Sequence, residues 1–193
     1  MKEHYEMTVA GVTRQLPLFA VTPDLKIAAF VIFGDVEMTV KAAEELIKIA
    51  PEHDVMITSE AKSIPLIHEM ARQMDVNKYV IARKGVKVYM ADPYSVEVNS
   101  ITTAKKQKLF IGKSDMDYLK GKRVLIVDDV ISTGESLKAI EKLVIESGGT
   151  IAGKMAILAE GDAKYRDDIY YLDYLPLFDK EGEVLSGTPV KES

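Results

Sequence analysis

The sequence predicts an α/β fold in which a central, mostly parallel sheet carries helices on both of its faces. Three observations predict it. Short apolar blocks alternate with longer segments whose apolar residues recur every three or four positions, which is helical spacing. The connections between these segments are short, as in parallel sheets covered by helices. The 193 residues, 47% of them hydrophobic and 28% charged, contain no repeat or linker, so we expect one domain over residues 1–193.

The first part of the chain predicts strands. Residues 5–12 and 14–21 have the character of short extended segments, interrupted by Gly11 and Pro17. Residues 27–33 form a continuous apolar block, which is typical of a strand buried on both faces. We therefore expect this block to lie inside the parallel sheet.

The alternation of helix and strand then begins. Asp35 is a suitable N-cap for a helix over residues 36–50, whose apolar positions share one face, and Pro51 ends it. Further strands are predicted at residues 55–58, 79–82, 124–127 and 151–158, and further helices around residues 64–74 and 137–144.

Two segments depart from this alternation. Between Arg83 and Lys122 the sequence is polar and prone to β-structure, which predicts a mobile loop with an antiparallel excursion. After Asp162 the aromatic residues cluster, and we interpret this tail as a packed cap rather than as part of the sheet. Residues from about 1–25 and 160–193 are expected to form a small hood.

Composition excludes several classes of function. The chain has 25 Lys and Arg against 30 Asp and Glu, so its net charge of −5 argues against a nucleic-acid or membrane-surface partner. The absence of cysteine excludes disulfides, thiol nucleophiles and cysteine-ligated metals. The N-terminus has no apolar stretch typical of a signal peptide, and residues 27–33 are too few to span a bilayer. We expect a cytoplasmic protein.

The most informative stretch of the sequence covers residues 124–136. A buried strand ends in two adjacent carboxylates, Asp128 and Asp129, and a loop with hydroxyl groups and one glycine leads into a helix. Ligands bind at the carboxyl ends of parallel strands, and the start of a helix favours a phosphate. Carboxylates there could accept hydrogen bonds from sugar hydroxyls or hold hydrated Mg²⁺. The alternative is a plain strand followed by a capped helix, but unpaired buried charge is costly.

This stretch resembles the phosphoribosyl-pyrophosphate motif of type I phosphoribosyltransferases, and every position fits the family pattern. The resemblance implies that Asp128 and Asp129 are the catalytic acidic pair and contact the ribose hydroxyls. It also implies that the loop after them holds the 5′-phosphate, through Ser132, Thr133, Gly134, Glu135 and Ser136.

A second segment lies where this family has its pyrophosphate loop. Adenine phosphoribosyltransferases usually have Glu-x-Arg-Gly-Phe there, and this chain has Glu60, Ala61, Lys62 and Ser63, followed by an isoleucine. Lys62 keeps the cation of the family's arginine but lacks its bidentate fork. The resemblance implies that these four residues bind substrate. The alternative is that Ser59 or Ser63 only caps the following helix.

A third segment follows the predicted strand at residues 79–82. Arg83 and Lys84, with Lys87 nearby, look like the Arg-Lys pair that binds pyrophosphate in this family, often across a dimer interface. The resemblance therefore implies a homodimer. The alternative is a solvated strand end.

The resemblance covers roughly residues 30–175 and is closest to the adenine branch. It implies a purine phosphoribosyltransferase that joins a purine base, preferably adenine, to phosphoribosyl pyrophosphate and releases pyrophosphate. It implies Mg²⁺ as cofactor, held through the substrate and Asp128 or Asp129, and a loop over residues 90–106 that closes to exclude water. Two family segments are missing: residues 14–21 replace the Pro-x-Pro-Gly segment, and residues 99–106 replace the Glu-Tyr-Gly-Thr stretch.

Three other interpretations stay open. The altered loop permits a non-catalytic sensor of phosphoribosyl pyrophosphate or of a nucleotide. Lys105, Lys106 or Lys164 could serve a xanthine or guanine site. A receiver or phosphatase domain would use the acidic pair, but it would not need the hydroxyl-rich loop that follows.

Overall fold

The computed structural model describes residues 2–98 and 107–185. Their strands are β1 (His4–Val9), β2 (Val12–Thr22), β3 (Leu25–Ala28), β4 (Val55–Ser59), β5 (Val80–Ala82), β6 (Tyr94–Val98), β7 (Gln107–Ile111), β8 (Arg123–Ile131), β9 (Thr150–Glu160), β10 (Tyr170–Leu175) and β11 (Leu177–Phe178). Their α-helices are α1 (Val36–Ile49), α2 (Ile64–Gln73), α3 (Lys113–Leu119) and α4 (Glu135–Glu146), and a 3₁₀-helix covers Gly161–Tyr165.

The central sheet has five strands in the order β10-β9-β8-β4-β5, and all neighbouring strands are parallel. Alternate side chains of these strands serve two separate cores. Met56 and Leu125 pack in the cluster that contains the buried residues of α1 and α2. Val55 and Ile126 pack in the cluster that contains those of α3 and α4. The predicted class, a parallel sheet with helices on both faces, is confirmed.

Helix α1 shows why the sequence pattern predicted it. The Asp35 carboxylate accepts a hydrogen bond from the Met38 backbone N–H at 3.1 Å, and Arg14 holds the same carboxylate from β2 at 2.7 Å. The helix buries Met38, Ala42 and Leu46 along one face. It ends one residue before the predicted end, with Ala50 as an extended C-cap in front of the proline.

The interpretation of residues 27–33 as a strand of the central sheet is wrong. Only the first part of this block is in a strand, and that strand, β3, belongs to a second, four-stranded sheet in the order β1-β2-β3-β11. Along the block Phe30 and Ile32 are buried, whereas Val31 and Phe33 are 52% and 53% exposed. The block thus covers a core with one face only, although both faces are apolar.

The interpretation of the tail as a cap outside the sheet is also wrong. Strand β10 lies at the edge of the central sheet, parallel to β9, with Tyr170 opposite Met155 and Leu175 opposite Glu160. The 3₁₀-helix reverses the chain within a short connection, so no α-helix marks this crossover in the sequence. Strand β11 then joins the second sheet, where the ring of Phe178 packs at a tilt against that of Tyr5.

The predicted antiparallel excursion is present. Strands β6 and β7 pair antiparallel from Tyr94 opposite Ile111 to Val98 opposite Gln107. The replaced loop stretch, residues 99–106, lies outside the described residues, and with it Lys105, Lys106 and the second part of the predicted closing loop. Within residues 2–98 and 107–185, no helix is both long enough and apolar enough to cross a membrane.

Candidate functional site

The acidic pair lies inside β8 rather than after it. The ladder between β8 and β9 continues past the predicted strand end at residue 127, through Asp128 opposite Ala156 to Ile131 opposite Ala159. Asp129 is only 2% exposed, and Asp128 is partly buried. Pairing with a neighbouring strand therefore carries both carboxylates to the carboxyl end of the sheet.

Ser63 holds the two carboxylates together from the neighbouring strand's loop. Its Oγ lies 2.5 Å from Asp128 Oδ1 and 3.0 Å from Asp129 Oδ1, and it accepts a hydrogen bond from the Asp129 backbone N–H at 2.9 Å. One hydroxyl proton cannot be donated to both carboxylates at once. Burial, and after it the charge of Asp129, raise the pKa of Asp128 well above the ordinary value for aspartate.

Lys62 supplies a cation to this pair. Its Nζ lies 3.1 Å from Asp129 Oδ2, and its side chain is half exposed. The contact is an ion pair without hydrogen-bond geometry, so Oδ2 is buried with no hydrogen-bond partner among the described residues. Asp129 Oδ2 therefore has an ionic partner but accepts no hydrogen bond from the described residues.

The oxygens of the acidic pair are also suitable ligands for a divalent cation. Hard cations such as Mg²⁺ take oxygen ligands, and Mg²⁺ commonly uses one or two carboxylates together with substrate phosphates. Asp128 and Asp129 offer such a pair, and a cation beside them would lower the raised pKa of Asp128. No cluster of three or more acidic or histidine ligands occurs in the part of the chain that the structure describes. The residues present therefore fit Mg²⁺ that is shared with a phosphorylated substrate.

Glu60 organises the loop after β4. Its Oε2 accepts from Arg83 Nε and its Oε1 from the Lys84 backbone N–H, both at 2.6 Å, and the Glu60–Ala61 peptide is cis. Burial acts to raise the pKa of Glu60, but these hydrogen bonds outweigh it and the pKa is lowered. Arg83 also contacts Tyr89, so within this chain its guanidinium is held by protein groups. Lys87 lies close enough to Glu60 for its charge to act on that carboxylate.

The loop after β8 forms the other half of the site. Gly134 is the N-cap of α4 and has a φ of +77°, a left-handed conformation that favours glycine. Because glycine has no side chain, it cannot cap the helix with a side-chain hydrogen bond. The N–H groups of the first turn consequently face the loop. The residues that line this small cavity of about 70 Å³ include all five from the predicted phosphate loop: Ser132, Thr133, Gly134, Glu135 and Ser136.

The two loops share one crevice. A neighbouring cavity of about 160 Å³ is lined by the loop after β4, by Lys84 and by the acidic pair, and it has Asp128, Val130 and Ser136 in common with the smaller one. Thus Glu60, Ala61, Lys62 and Ser63 line the same cavity as the acidic pair, and their binding of substrate stays a prediction. Neither Arg83 nor Lys87 lines these two cavities.

Three features of this region were not predicted from the sequence. The first is the link from Ser63 to the acidic pair across 65 residues of chain. The second is the effect of Lys62 on Glu160, at the end of β9: burial raises the pKa of Glu160, and the charge of Lys62 opposes that rise. The third is Arg166, whose guanidinium lies against Gly134. No local motif signals these contacts, because each joins segments that are distant in the sequence.

Comparison with known proteins gives one family. The family model described as a phosphoribosyl transferase domain matches residues 35–186. The chain is 33% identical over 125 residues to a hypoxanthine/guanine phosphoribosyltransferase of Methanothermococcus okinawensis, covering 64% of each chain. It is 30% identical over 111 residues to one of Methanocella paludicola, covering 58% of this chain and 54% of the relative. The chain thus matches somewhat more than half the length of these curated relatives.

Solved structures share the fold. The adenine phosphoribosyltransferase of Thermoanaerobacter pseudethanolicus superposes with a TM-score of 0.60 at 23% identity, covering 89% of this chain and 95% of that one. That of Trypanosoma brucei, in complex with AMP, pyrophosphate and ribose-5-phosphate, superposes with a TM-score of 0.59 at 18% identity, covering 74% and 67%. At this level of identity the likeness concerns the fold alone.

Proposed function

Because the chain belongs to the phosphoribosyl transferase domain family, we propose that it transfers the phosphoribosyl group of phosphoribosyl pyrophosphate to a purine base. The observation that carries the proposal is the single crevice in which the acidic pair meets both loops. A phosphorylated sugar with a second, pyrophosphate group needs such an arrangement: hydroxyl acceptors in the middle and an anion site on either side.

The roles follow from the charges. Asp128 and Asp129 accept hydrogen bonds from the ribose hydroxyls, and the start of α4 binds the 5′-phosphate. Lys62 and Lys84, with the main chain of the loop after β4, bind the pyrophosphate. Mg²⁺, held by the acidic pair and the substrate, supplies charge neutralisation of that leaving group.

The reaction asks for positioning more than for proton transfer. The bond from C1′ to pyrophosphate breaks, a ring nitrogen of the base bonds to C1′, and that base loses one N–H proton. Positive charge develops on the ribose in between, as in glycoside cleavage. The carboxylates beside the ribose stabilise this charge, provided that Asp128 is ionised.

Strand order supports a location for the base. A nucleophile and a leaving group occupy opposite faces of the carbon at which they exchange. The loop with Lys62 follows β4 on one side of β8, so the base belongs on the other side, beyond β9. Glu160 and Lys164 lie there, and Lys164 Nζ is 4.1 Å from the ring centroid of Tyr174.

The identity of the base has two candidates. Adenine stays the prediction of the sequence resemblance. Lys164 favours a 6-oxopurine, because an ammonium group donates to a carbonyl oxygen and is mismatched with an amino group. The curated relatives carry the name hypoxanthine/guanine phosphoribosyltransferase, whereas the similar solved structures are adenine enzymes. A purine base is common to both.

The test is pyrophosphate release with phosphoribosyl pyrophosphate, Mg²⁺ and, in turn, adenine, hypoxanthine, guanine and xanthine. We expect turnover of either adenine or the 6-oxopurines to exceed turnover of the other class by roughly 10⁴-fold. A site that pairs polar groups rejects analogues that lack them. Lys164→Met should abolish preference for a 6-oxopurine and leave adenine turnover unchanged. Binding of phosphoribosyl pyrophosphate without turnover of any base would contradict the transferase and support the sensor.

We also propose a homodimer through the surface next to β5, at the edge of the central sheet. Close to this edge Val86 and Val88 are 54% and fully exposed, and Tyr89 is 72% exposed beside Arg83. Such apolar exposure is typical of an interface. Sedimentation should show a dimer, and a fully active monomer would exclude the proposal.

A further inference from the structure

Arg166 packs on the glycine that begins α4. A Cβ atom built on Gly134 would lie 2.4 Å from Arg166 Nη1, which is far closer than any real contact. The guanidinium therefore occupies the space where any other residue at position 134 would place its side chain. Arg166 is thirty-two residues further along the chain, directly after the 3₁₀-helix.

Three further charges fix the orientation of this guanidinium. Arg166 donates from Nε and Nη2 to the two oxygens of Asp168, each at 2.8 Å. Asp168 is also 2.5 Å from Lys154 Nζ, and Lys154 is 2.7 Å from Glu141 on α4. The chain of contacts thus begins and ends on the same helix. It leaves Nη1 turned towards Gly134, with no hydrogen-bond partner among residues 2–98 and 107–185.

A cation in this place is electrostatically unfavourable in the absence of an anion. The N-terminus of a helix carries about half a positive charge, so cations near it destabilise the helix. Glu135 in the first turn offsets part of that charge, and Asp168 neutralises Arg166 only from the side opposite to Nη1. The arrangement becomes favourable when a phosphate dianion binds to the loop.

We propose that Arg166 is a positioning residue for the 5′-phosphate. Its guanidinium supports the backbone of Gly134, so that the N–H groups at the start of α4 keep their direction, and its charge attracts the phosphate. This inference rests on the proposed function, since it assigns the loop to the 5′-phosphate. It assigns Arg166 no contact with pyrophosphate, which the loop after β4 binds.

Calorimetry with two separate ligands tests the proposal. Arg166→Gln should weaken ribose 5-phosphate binding by about 10-fold or more, the value of one charge-assisted interaction, and change the affinity for magnesium pyrophosphate less than twofold. Arg166→Lys should recover part of the loss, because it keeps the charge. The matched control is Arg72→Gln, which removes a similar bidentate pair, with Glu69 on α2, and should leave both affinities unchanged.

A merely structural role would give a different result. Equal weakening of both ligands by Arg166→Gln, or no weakening of ribose 5-phosphate, would overturn the proposal. If the unmodified protein binds no ribose 5-phosphate, the proposed function itself fails; if it binds and Arg166→Gln binds equally well, only the role of Arg166 fails.

A double-mutant cycle tests the contact itself. Gly134→Ala should weaken ribose 5-phosphate binding strongly in the presence of Arg166, because the new methyl group displaces the guanidinium in addition to straining the left-handed backbone at this position. In an Arg166→Gln background the same substitution should cost several-fold less. Independent effects of the two substitutions would show that the guanidinium does not act through Gly134, and would overturn the proposal.

Discussion

Two aspartate sites differ in how their charge is balanced: Asp168, just before β10, and the pair Asp128 and Asp129, near the carboxyl end of β8. Asp168 is shared by two cations, Arg166 and Lys154, which together hold its pKa well below the ordinary value. Asp128 and Asp129 share one serine, only Asp129 is paired with a half-exposed lysine, and the pKa of Asp128 is raised. The carboxylate of Asp168 is neutralised within the chain, whereas the charge of the acidic pair is balanced only when a ligand arrives. Such unbalanced charge is expected if this site binds a polyhydroxylated, magnesium-bound substrate, as we propose, because binding sites exchange stability for function.

The largest expected effect is on substrate binding, for a substitution in the acidic pair. Asp129→Asn should weaken binding of phosphoribosyl pyrophosphate by about 1–3 kcal/mol, which is roughly 5- to 150-fold, because a charge-assisted hydrogen bond is lost. Calorimetry with Mg²⁺ present measures it.

The control for this variant is Asp54→Asn. Asp54 pairs with Arg123 where β8 begins, at the opposite end of the sheet. The control should bind the substrate like the unmodified protein. If Asp129→Asn binds phosphoribosyl pyrophosphate as tightly as the unmodified protein does, Asp129 is not part of the site.

A smaller effect is expected on stability, and its sign depends on pH. The pKa of Asp128 is higher in the folded protein than the unfolded value of about 3.9, so its ionisation costs stability as pH rises from about 4 through the raised pKa. Asp128→Asn should therefore raise the free energy of unfolding by about 1–2 kcal/mol at about pH 8, or about 3–6 °C in Tm. At about pH 4 the two proteins should be equally stable.

The exposed Asp167 supplies the control for that measurement. Asp167→Asn removes a surface charge but leaves the repulsion between Asp128 and Asp129 in place. The stability of this variant should therefore equal that of the unmodified protein at both pH values. If Asp128→Asn is instead less stable than the unmodified protein at about pH 8 without ligand, the charge of the acidic pair does not cost stability.

Sequence reasoning succeeded where local pattern decides the structure. The apolar strands at residues 55–58 and 124–127 are buried on both faces, and the cap and stop of α1 lie within one residue of their predicted places. Residues 128–136 are contiguous, so the acidic pair and the loop that follows it lie together by sequence proximity alone. In each case the signal and the structure lie in the same short segment.

The failures share a different cause. A run of apolar residues at 27–33 does not reveal that only one face would be covered. The pairing of β10 with β9 depends on a register set across a 3₁₀-helix, and tyrosines are equally suited to an edge strand and to a cap. Arg166 meets Gly134 only because both of their elements follow neighbouring strands. Contacts between distant segments leave no periodic signal in the chain.

The smallest expected effect concerns Asp168, and it changes the free energy of unfolding in the opposite direction to Asp128→Asn. Because the pKa of Asp168 is lowered by Arg166 and Lys154, its charged form stabilises the folded protein above the unfolded value of about 3.9, and this contribution is lost as pH falls towards the folded value. The side chain is 44% exposed, so solvent screening reduces the contribution to about 0.5–1 kcal/mol. Asp168→Asn should thus lower the free energy of unfolding by that amount at about pH 7, and the difference should shrink below about pH 4. Asp167→Asn, one residue away and exposed, should show neither change. If Asp168→Asn were instead as stable as the unmodified protein at neutral pH, the two groups of aspartates would not differ in charge balance, and the contrast between them would have to come from burial alone.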